Sequence, residues 1–223
     1  MKPFVYTLAA LMIVCSCTKK ESTAITPANV KEVLIQYGKE NPETGVEIES
    51  SFGTIRLKLY NETPLHRANF IKQIKEGYYD DSDFYRIVYE FMIQAGDQKK
   101  SLPYRVPSEF KPDLFHKKGA LAMARTDDNN PNFESSSTEF YIVHGRKYAD
   151  WEIDEEARNA GIQLTPEQRQ TYLTTGGDMN LDQKYTVFGE VVSGLEVVDA
   201  IASQKAYNER PNKKIPIKIR VVK

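Results

Sequence analysis

Phe84-Tyr85-Arg86-Ile87-Val88-Tyr89-Glu90-Phe91-Met92-Ile93-Gln94-Ala95-Gly96-Asp97 sets one arginine and one glutamine among closely spaced apolar residues. Read alone, Phe84 to Gln94 makes two ordinary core strands with Arg86 on a solvated edge. The polar pair suits acid–base chemistry poorly, because a guanidinium stays charged at any working pH. It suits the binding of something apolar beside a polar bond.

Five further blocks decide between these readings. Gly53-Thr54-Ile55-Arg56-Leu57-Lys58-Leu59-Tyr60 and Thr63-Pro64-Leu65-His66-Arg67-Ala68-Asn69-Phe70 precede the stretch. Behind it come Gly119-Ala120-Leu121-Ala122-Met123-Ala124-Arg125, Ser137-Thr138-Glu139-Phe140-Tyr141-Ile142-Val143 and Leu181-Asp182-Gln183-Lys184-Tyr185-Thr186-Val187-Phe188-Gly189-Glu190-Val191. In this order the segments resemble a cyclophilin-type peptidyl-prolyl isomerase, from about Val46 to the C-terminus. The resemblance implies a mainly β fold, a closed eight-stranded antiparallel barrel capped by two helices.

Periodicity outlines the same elements independently. Val46 to Tyr60 alternates apolar and polar around Ser51-Phe52-Gly53, which predicts two half-buried strands joined by a tight turn. Thr63-Pro64 opens a helix with Leu65, Ala68, Ile71 and Ile74 on one face and Gly77 as its stop. Strands are predicted at 83–89, 91–95, 119–123, 139–143 and 186–192, then a helix from Leu195 to Ser203 and a last strand with Ile215, Ile217, Ile219 and Val221 inward. Two helical additions flank this plan. Thr26-Pro27 offers an N-cap and first-turn proline for a short helix with Val30, Val33, Leu34 and Tyr37 on one face, ending at Gly38 and docking outside the barrel. At about 145–180 an insertion carries Thr165-Pro166-Glu167-Gln168, a capping box that predicts a helix from Pro166 to Leu173 ended by Gly176-Gly177. The insertion reads as a helical hairpin beside the rim of the site, because it leads directly into Leu181.

The chemistry of prolyl isomerisation breaks no bond. It must lower a rotation barrier of about 18–20 kcal/mol set by amide resonance, and uncatalysed turnover takes tens to hundreds of seconds. Reaching milliseconds requires on the order of 6 kcal/mol, at about 1.4 kcal/mol per tenfold. Only contacts stronger in the twisted amide than in either planar form accelerate the rotation. A donor to the proline nitrogen meets that need, and Arg86 has the rigid fork of N–H groups to supply it.

By the resemblance, Arg86 is the catalytic arginine. Phe91, Met92, Tyr141 and Leu181 form the proline pocket, Gln94 orients Arg86 or binds substrate backbone, and the main chain at Ala124 and Arg125 pairs with the peptide in strand fashion. Glu139 and Tyr185 complete the substrate-binding set. Without the family order, simple core packing would explain the apolar members. The chain departs from the family in four places. Glutamine is usual where Glu139 stands, phenylalanine where Tyr141 stands and often histidine where Tyr185 stands. A glycine-rich loop is replaced by Gln98-Lys99-Lys100-Ser101-Leu102-Pro103-Tyr104, which bears on the neighbouring subsite rather than the proline slot. A carboxylate at Glu139 could pair with Arg86 and compete with substrate. The rival reading is therefore a proline-peptide-binding or chaperone module with weak or no isomerase activity.

The N-terminus addresses the chain elsewhere. Lys2, an apolar run from Phe4 to Val14 and then Val14-Cys15-Ser16-Cys17 read as a secretory signal too short to span a bilayer. The pattern resembles a bacterial lipoprotein signal, with Cys17 lipidated as the first mature residue; cleavage nearby that leaves a free thiol is the alternative. The expected organisation is a signal at 1–17, a tether and short helix at 18–45, and the isomerase domain at 46–223. The protein is expected as a monomer held to a membrane of the bacterial cell envelope, facing the periplasm and acting on proline-containing polypeptides. Both cysteines lie in the signal, so the mature domain has no disulfide and depends on its core. A formal net charge of −1 argues against nucleic-acid binding. His66, His116 and His144 stand apart without metal-ligand spacing, so neither a metal nor a cofactor is expected. Asp127-Asp128-Asn129-Asn130-Pro131-Asn132 lacks the spaced ligands of a calcium loop and reads as a solvated turn.

Overall fold

The structure, a computed structural model, describes residues 24–96 and 102–222. The signal with Cys17 and most of the lysine-containing replacement for the glycine-rich loop lie outside these residues.

Strands β1 (Gly45–Ser50) and β2 (Gly53–Leu59) form the expected hairpin, with Ser50 opposite Gly53 and Val46 opposite Leu57. Along β2 the buried Ile55, Leu57 and Leu59 alternate with exposed Thr54, Arg56 and Lys58, the period of a half-buried strand. Six more strands complete one sheet: β3 (Asp83–Val88), β4 (Met92–Gly96), β5 (Ala120–Met123), β6 (Phe140–Val143), β7 (Val187–Ser193) and β10 (Lys218–Val222). Their order is β10-β1-β2-β7-β5-β6-β4-β3, with every ladder antiparallel. Between β7 and β10 lies a two-stranded hairpin of β8 (Ala206–Tyr207) and β9 (Arg210–Pro211), too short to leave a periodic signal.

The curled sheet encloses the main core. Helix α2 (Pro64–Lys75) contributes Phe70, Ile71 and Ile74 to it, and helix α5 (Leu195–Ala202) contributes Val197, Val198 and Ile201. The Phe70 ring meets Phe140 and Phe188 edge-on at 5.1 and 5.3 Å, the arrangement aromatic quadrupoles favour. Burying rings of this size from both a helix and facing strands fixes how the sheet wraps around α2.

The expected closed barrel is corrected to an open, half-barrel sheet. Its end strands β3 and β10 form no ladder; one bridge joins Asp83 to Pro216, with Phe84 N donating to Ile215 O and Ile217 N to Ser82 O, both at 3.0 Å. Both bonds run from residues flanking the bridge, so the main chain of Pro216 itself faces away from β3 and the pairing is a single non-hydrogen-bonded position rather than a ladder. Ile215 and Ile217 are inward as expected, whereas Ile219 and Val221 on β10 are only half-buried.

Helix α1 (Val30–Glu40) packs on α2 outside the sheet, through Leu34, Leu65 and Ala68. It begins at Val30 with Asn29 at the N-cap, later than Thr26-Pro27 suggested. Asn29 Oδ1 accepts the Thr26 amide at 2.7 Å and its Nδ2 donates to Ala24 O, so that segment closes a turn before the helix. The insertion holds α3 (Ile153–Ala160) and α4 (Pro166–Thr174) around a small core of Tyr148, Ile153, Ala157, Tyr172 and Met179. The capping box forms as written: Thr165 Oγ1 accepts from Gln168 N, and Gln168 Oε1 accepts from Thr165 N. Gly177 does more than stop a helix. A Cβ there would lie 2.2 Å from His116 O, so only glycine lets this return strand slip between 116–117 and Arg146.

Candidate active site

Register brings the site together. Arg86 of β3 faces Gln94 of β4, Gln94 faces Tyr141 of β6, and Tyr141 faces Ala122 of β5, so these residues form one row across four strands. Their neighbours Ile93, Ala95, Leu121, Phe140 and Ile142 point into the main core, and the row therefore occupies the opposite face of the sheet. Strict alternation would put Arg86 on the same face as Phe84, which is buried in the core. A bulge prevents this: Phe84 pairs with Ala95 and Arg86 with Gln94, leaving Tyr85 as the extra residue. Bulges re-aim side chains in this manner, and here the effect is to turn Arg86 outward beside Gln94.

On this face a cavity of about 110 Å³ is lined by Arg86, Phe91, Met92, Gln94, Ala124, Arg125, Tyr141, Leu181 and Tyr185. Every residue expected at the site is there except Glu139. Met92, Ala122 and Tyr141 make an apolar floor continuous with Val143 and Val187, and Phe91, Leu181 and Tyr185 stand around it half-buried. Leu181 ends a 3-10 turn, Met179–Leu181, at the exit of the insertion.

Arg86 is held at two points. Its Nη1 donates to Gln94 Oε1 at 3.1 Å and its Nε donates to Glu209 Oε2 at 2.7 Å, while the guanidinium lies 5.8 Å from the centre of the Phe91 ring. Gln94 Nε2 donates to Tyr85 Oη at 2.5 Å, and the Tyr85 hydroxyl donates to Glu139 Oε1 at 2.7 Å. The expected pairing of Glu139 with Arg86 is thus corrected: the bulge residue Tyr85 and Gln94 stand between them, and the carboxylate on Arg86 is Glu209. Hydrogen bonding to Arg86 holds the Glu209 carboxyl below its ordinary range. Because Glu139 accepts from the Tyr85 hydroxyl, Glu139→Gln, which keeps an acceptor oxygen, is expected to keep kcat/KM within about twofold, whereas Glu139→Ala removes that contact and lowers it further. Peptide turnover by both purified variants checks this ordering.

The opposite wall rests on a buried relay. Asp182 Oδ1 accepts from the amide (2.7 Å) and Nδ1 (2.9 Å) of His116, and its Oδ2 accepts from the Tyr172 hydroxyl at 2.6 Å. With its proton on Nδ1, His116 accepts the Tyr141 hydroxyl at Nε2 over 3.0 Å. Burial, with Tyr185 beside it, pushes the Tyr141 phenol well above its usual value, so the hydroxyl stays neutral. A tyrosine is tolerated here because its polar tip is satisfied.

Arg125 lies over the rings of Tyr185 (4.3 Å) and Phe133 (4.9 Å), and donates to Lys184 O and to Asp127 Oδ1. The main chain of Ala124 is already engaged, its amide with Glu139 O and its carbonyl with Ser136 N. Sequence reading missed Tyr85, His116, Asp182 and Glu209. His116 and Asp182 are 66 positions apart and Arg86 and Glu209 are 123 apart, so no local pattern could join them.

The family model for "Cyclophilin type peptidyl-prolyl cis-trans isomerase/CLD" matches residues 45–222. A Staphylococcus aureus (strain USA300) protein assigned as a peptidyl-prolyl cis-trans isomerase is 30% identical over 171 residues, covering 73% of this chain and 83% of that one. A Staphylococcus epidermidis (strain RP62A) protein of the same assignment is 29% identical over 180 residues, covering 76% and 87%. A Streptococcus pyogenes protein assigned as a bifunctional phosphatase/peptidyl-prolyl cis-trans isomerase is 33% identical over 169 residues; the match takes in 70% of this chain but 34% of that relative's length. Among solved structures, a Cryptosporidium parvum cyclophilin type peptidyl-prolyl cis-trans isomerase crystallised in the presence of the dipeptide Ala-Pro superposes with a TM-score of 0.57. It is 21% identical, with 80% of this chain and 99% of that chain covered, a likeness of fold. With the family match running from the first strand of the sheet to its last, this chain belongs to the cyclophilin-type peptidyl-prolyl cis-trans isomerases.

Proposed function

We propose that the cavity beside Arg86 takes the proline ring of an X-Pro segment and that Arg86 donates to the proline nitrogen as it loses conjugation. The observation that carries this reading is the placement of a permanent cation at the edge of an apolar slot of about 110 Å³. In the planar amide the nitrogen lone pair is delocalised and accepts poorly; in the twisted amide it accepts well. A donor fixed at that edge therefore binds the transition state better than either ground state, and no proton or bond has to move. Gln94 orients the guanidinium, Phe91, Met92, Tyr141 and Leu181 enclose the ring, and Arg125 and Tyr185 border the flanking peptide. Proline-containing polypeptides are the substrates, in keeping with the Ala-Pro dipeptide present with the Cryptosporidium parvum relative. The rival peptide-binding reading loses its main ground once Glu139 stands behind Tyr85.

The setting follows from the N-terminal sequence. Lys2, the apolar run to Val14 and Ser16-Cys17 support export and lipidation at Cys17, giving a monomer tethered to an envelope membrane that works on exported proteins in the periplasm. A protease-coupled assay on a Xaa-Pro peptide tests the activity: acceleration of the slow phase supports it, and an unchanged slow phase with bound peptide leaves the binding module. For the setting, Cys17→Ala is expected to move the protein from the membrane to the soluble fraction; a variant that stays membrane-bound contradicts the anchor.

A further inference from the structure

We propose that Glu209 is a positioning residue for the isomerase reaction, holding the Arg86 guanidinium at the angle from which it meets the twisted amide. The inference rests on Arg86 being the donor to that amide.

Glu209 sits in a place glutamate seldom occupies. Tyr207 and Arg210 are register partners, so Asn208 and Glu209 are the two loop residues of the β8–β9 hairpin. Their φ angles are 47° and 64°, both left-handed, as a type I′ turn requires. Asparagine at the first position suits that turn, but the second is the position where glycine is favoured. Packing gives little reason to accept the strain, since Ala206, Tyr207, Asn208 and Glu209 are all exposed. What the conformation achieves is contact with the site. Glu209 O accepts from the Ile87 amide at 2.8 Å, seating the turn against β3, and the carboxylate reaches Arg86 Nε at 2.7 Å. Strain retained at one residue that touches a functional group is a recurring sign of function.

The geometry at Arg86 shows what is gained. A guanidinium is planar, so one anchor leaves it free to swing about that contact; anchors on both Nε and Nη1 remove the swing. Glu209 and Gln94 take those two nitrogens, and Nη2 is in neither contact on a side chain that lines the cavity. Gln94 is itself fixed by Tyr85, whereas the Nε side depends on Glu209. The ionised carboxylate suits this role, because Arg86 holds it below the ordinary glutamate range.

The test compares Glu209→Gly, Glu209→Gln and Arg86→Ala in the full chain, by thermal melting and by peptide isomerisation. Glu209→Gly relieves the left-handed strain, so its Tm is expected to equal or exceed the parent's while kcat/KM falls about fivefold, chiefly in kcat. Glu209→Gln keeps an oxygen to accept from Nε and is expected to recover at least half of that loss. A fall in both Tm and activity for Glu209→Gly would assign the residue to the fold and overturn the proposal. So would activity equal to the parent's, and activity above it would mean that Glu209 obstructs Arg86 instead. The two readings separate cleanly: an inactive Arg86→Ala beside a fully active Glu209→Gly sinks only the role of Glu209, while a fully active Arg86→Ala sinks the donor assignment on which it rests.

Discussion

Arg86→Ala is expected to lower kcat/KM by at least about tenfold with Tm close to the parent's, which corresponds to the loss of about 1.4 kcal/mol or more from the transition state alone. The fold should survive because the side chain is partly exposed on the outer face of the sheet, away from the Phe70–Phe140–Phe188 core. On the proposed mechanism, alanine removes the donor to the nitrogen of the twisted amide, an interaction absent from the planar peptide. Arg86→Lys is expected to recover only part of the loss. An ammonium keeps the charge but has no planar fork to satisfy Gln94 and Glu209 while also facing substrate. Stopped-flow isomerisation of a Xaa-Pro peptide by the three proteins checks the order parent, lysine, alanine.

Asp182→Ala is expected to act on stability rather than chemistry. Asp182 is 5% exposed, and its carboxylate accepts from His116 twice and from Tyr172 once. Removing it strands buried donors at about 1–3 kcal/mol each, so a total loss of roughly 3–5 kcal/mol is expected. Urea denaturation should show a lower midpoint at an unchanged slope. Asp182→Asn keeps an oxygen for one donor and should fall between. A loss under about 1 kcal/mol would mean that the relay contributes little. The same bonds give the insertion a structural duty. Tyr172 of α4 and Leu181 at the end of the 3-10 turn connect it to Tyr141 through Asp182 and His116, so it buttresses one wall of the cavity.

Much of this was legible where short-range rules apply. Alternation in Gly53–Leu59, the capping box at Thr165 and the apolar spacing of Leu65, Ala68 and Ile71 each express a local preference, and each element formed. The family order located the apolar slot, because Phe91, Met92, Tyr141 and Leu181 lie within motifs that survive as blocks. Three features escaped for physical reasons. A bulge at Tyr85 changes the facing of Arg86 without altering any composition, and only the partner strand reveals it. The barrel stays open because β3 and β10 meet at one bridge rather than a ladder, a pairing between segments far apart in sequence that no local pattern reports. Glu209 and His116 act through partners far away in sequence, and neither carries a local motif. Glu139, which the family order set among the substrate-binding residues, does not line the cavity; its side chain meets Tyr85 behind Gln94.

Exchange NMR on an Ala-Pro-containing peptide mixed with substoichiometric protein tests the central claim most directly, because it reads rotation itself with no protease and no bond cleaved. Cis and trans resonances should exchange on the millisecond scale with the parent protein and return to slow, separate lines with Arg86→Ala. Chemical-shift changes that report binding, with cis–trans exchange no faster than in peptide alone, would contradict the claim and leave a module that holds proline without turning it.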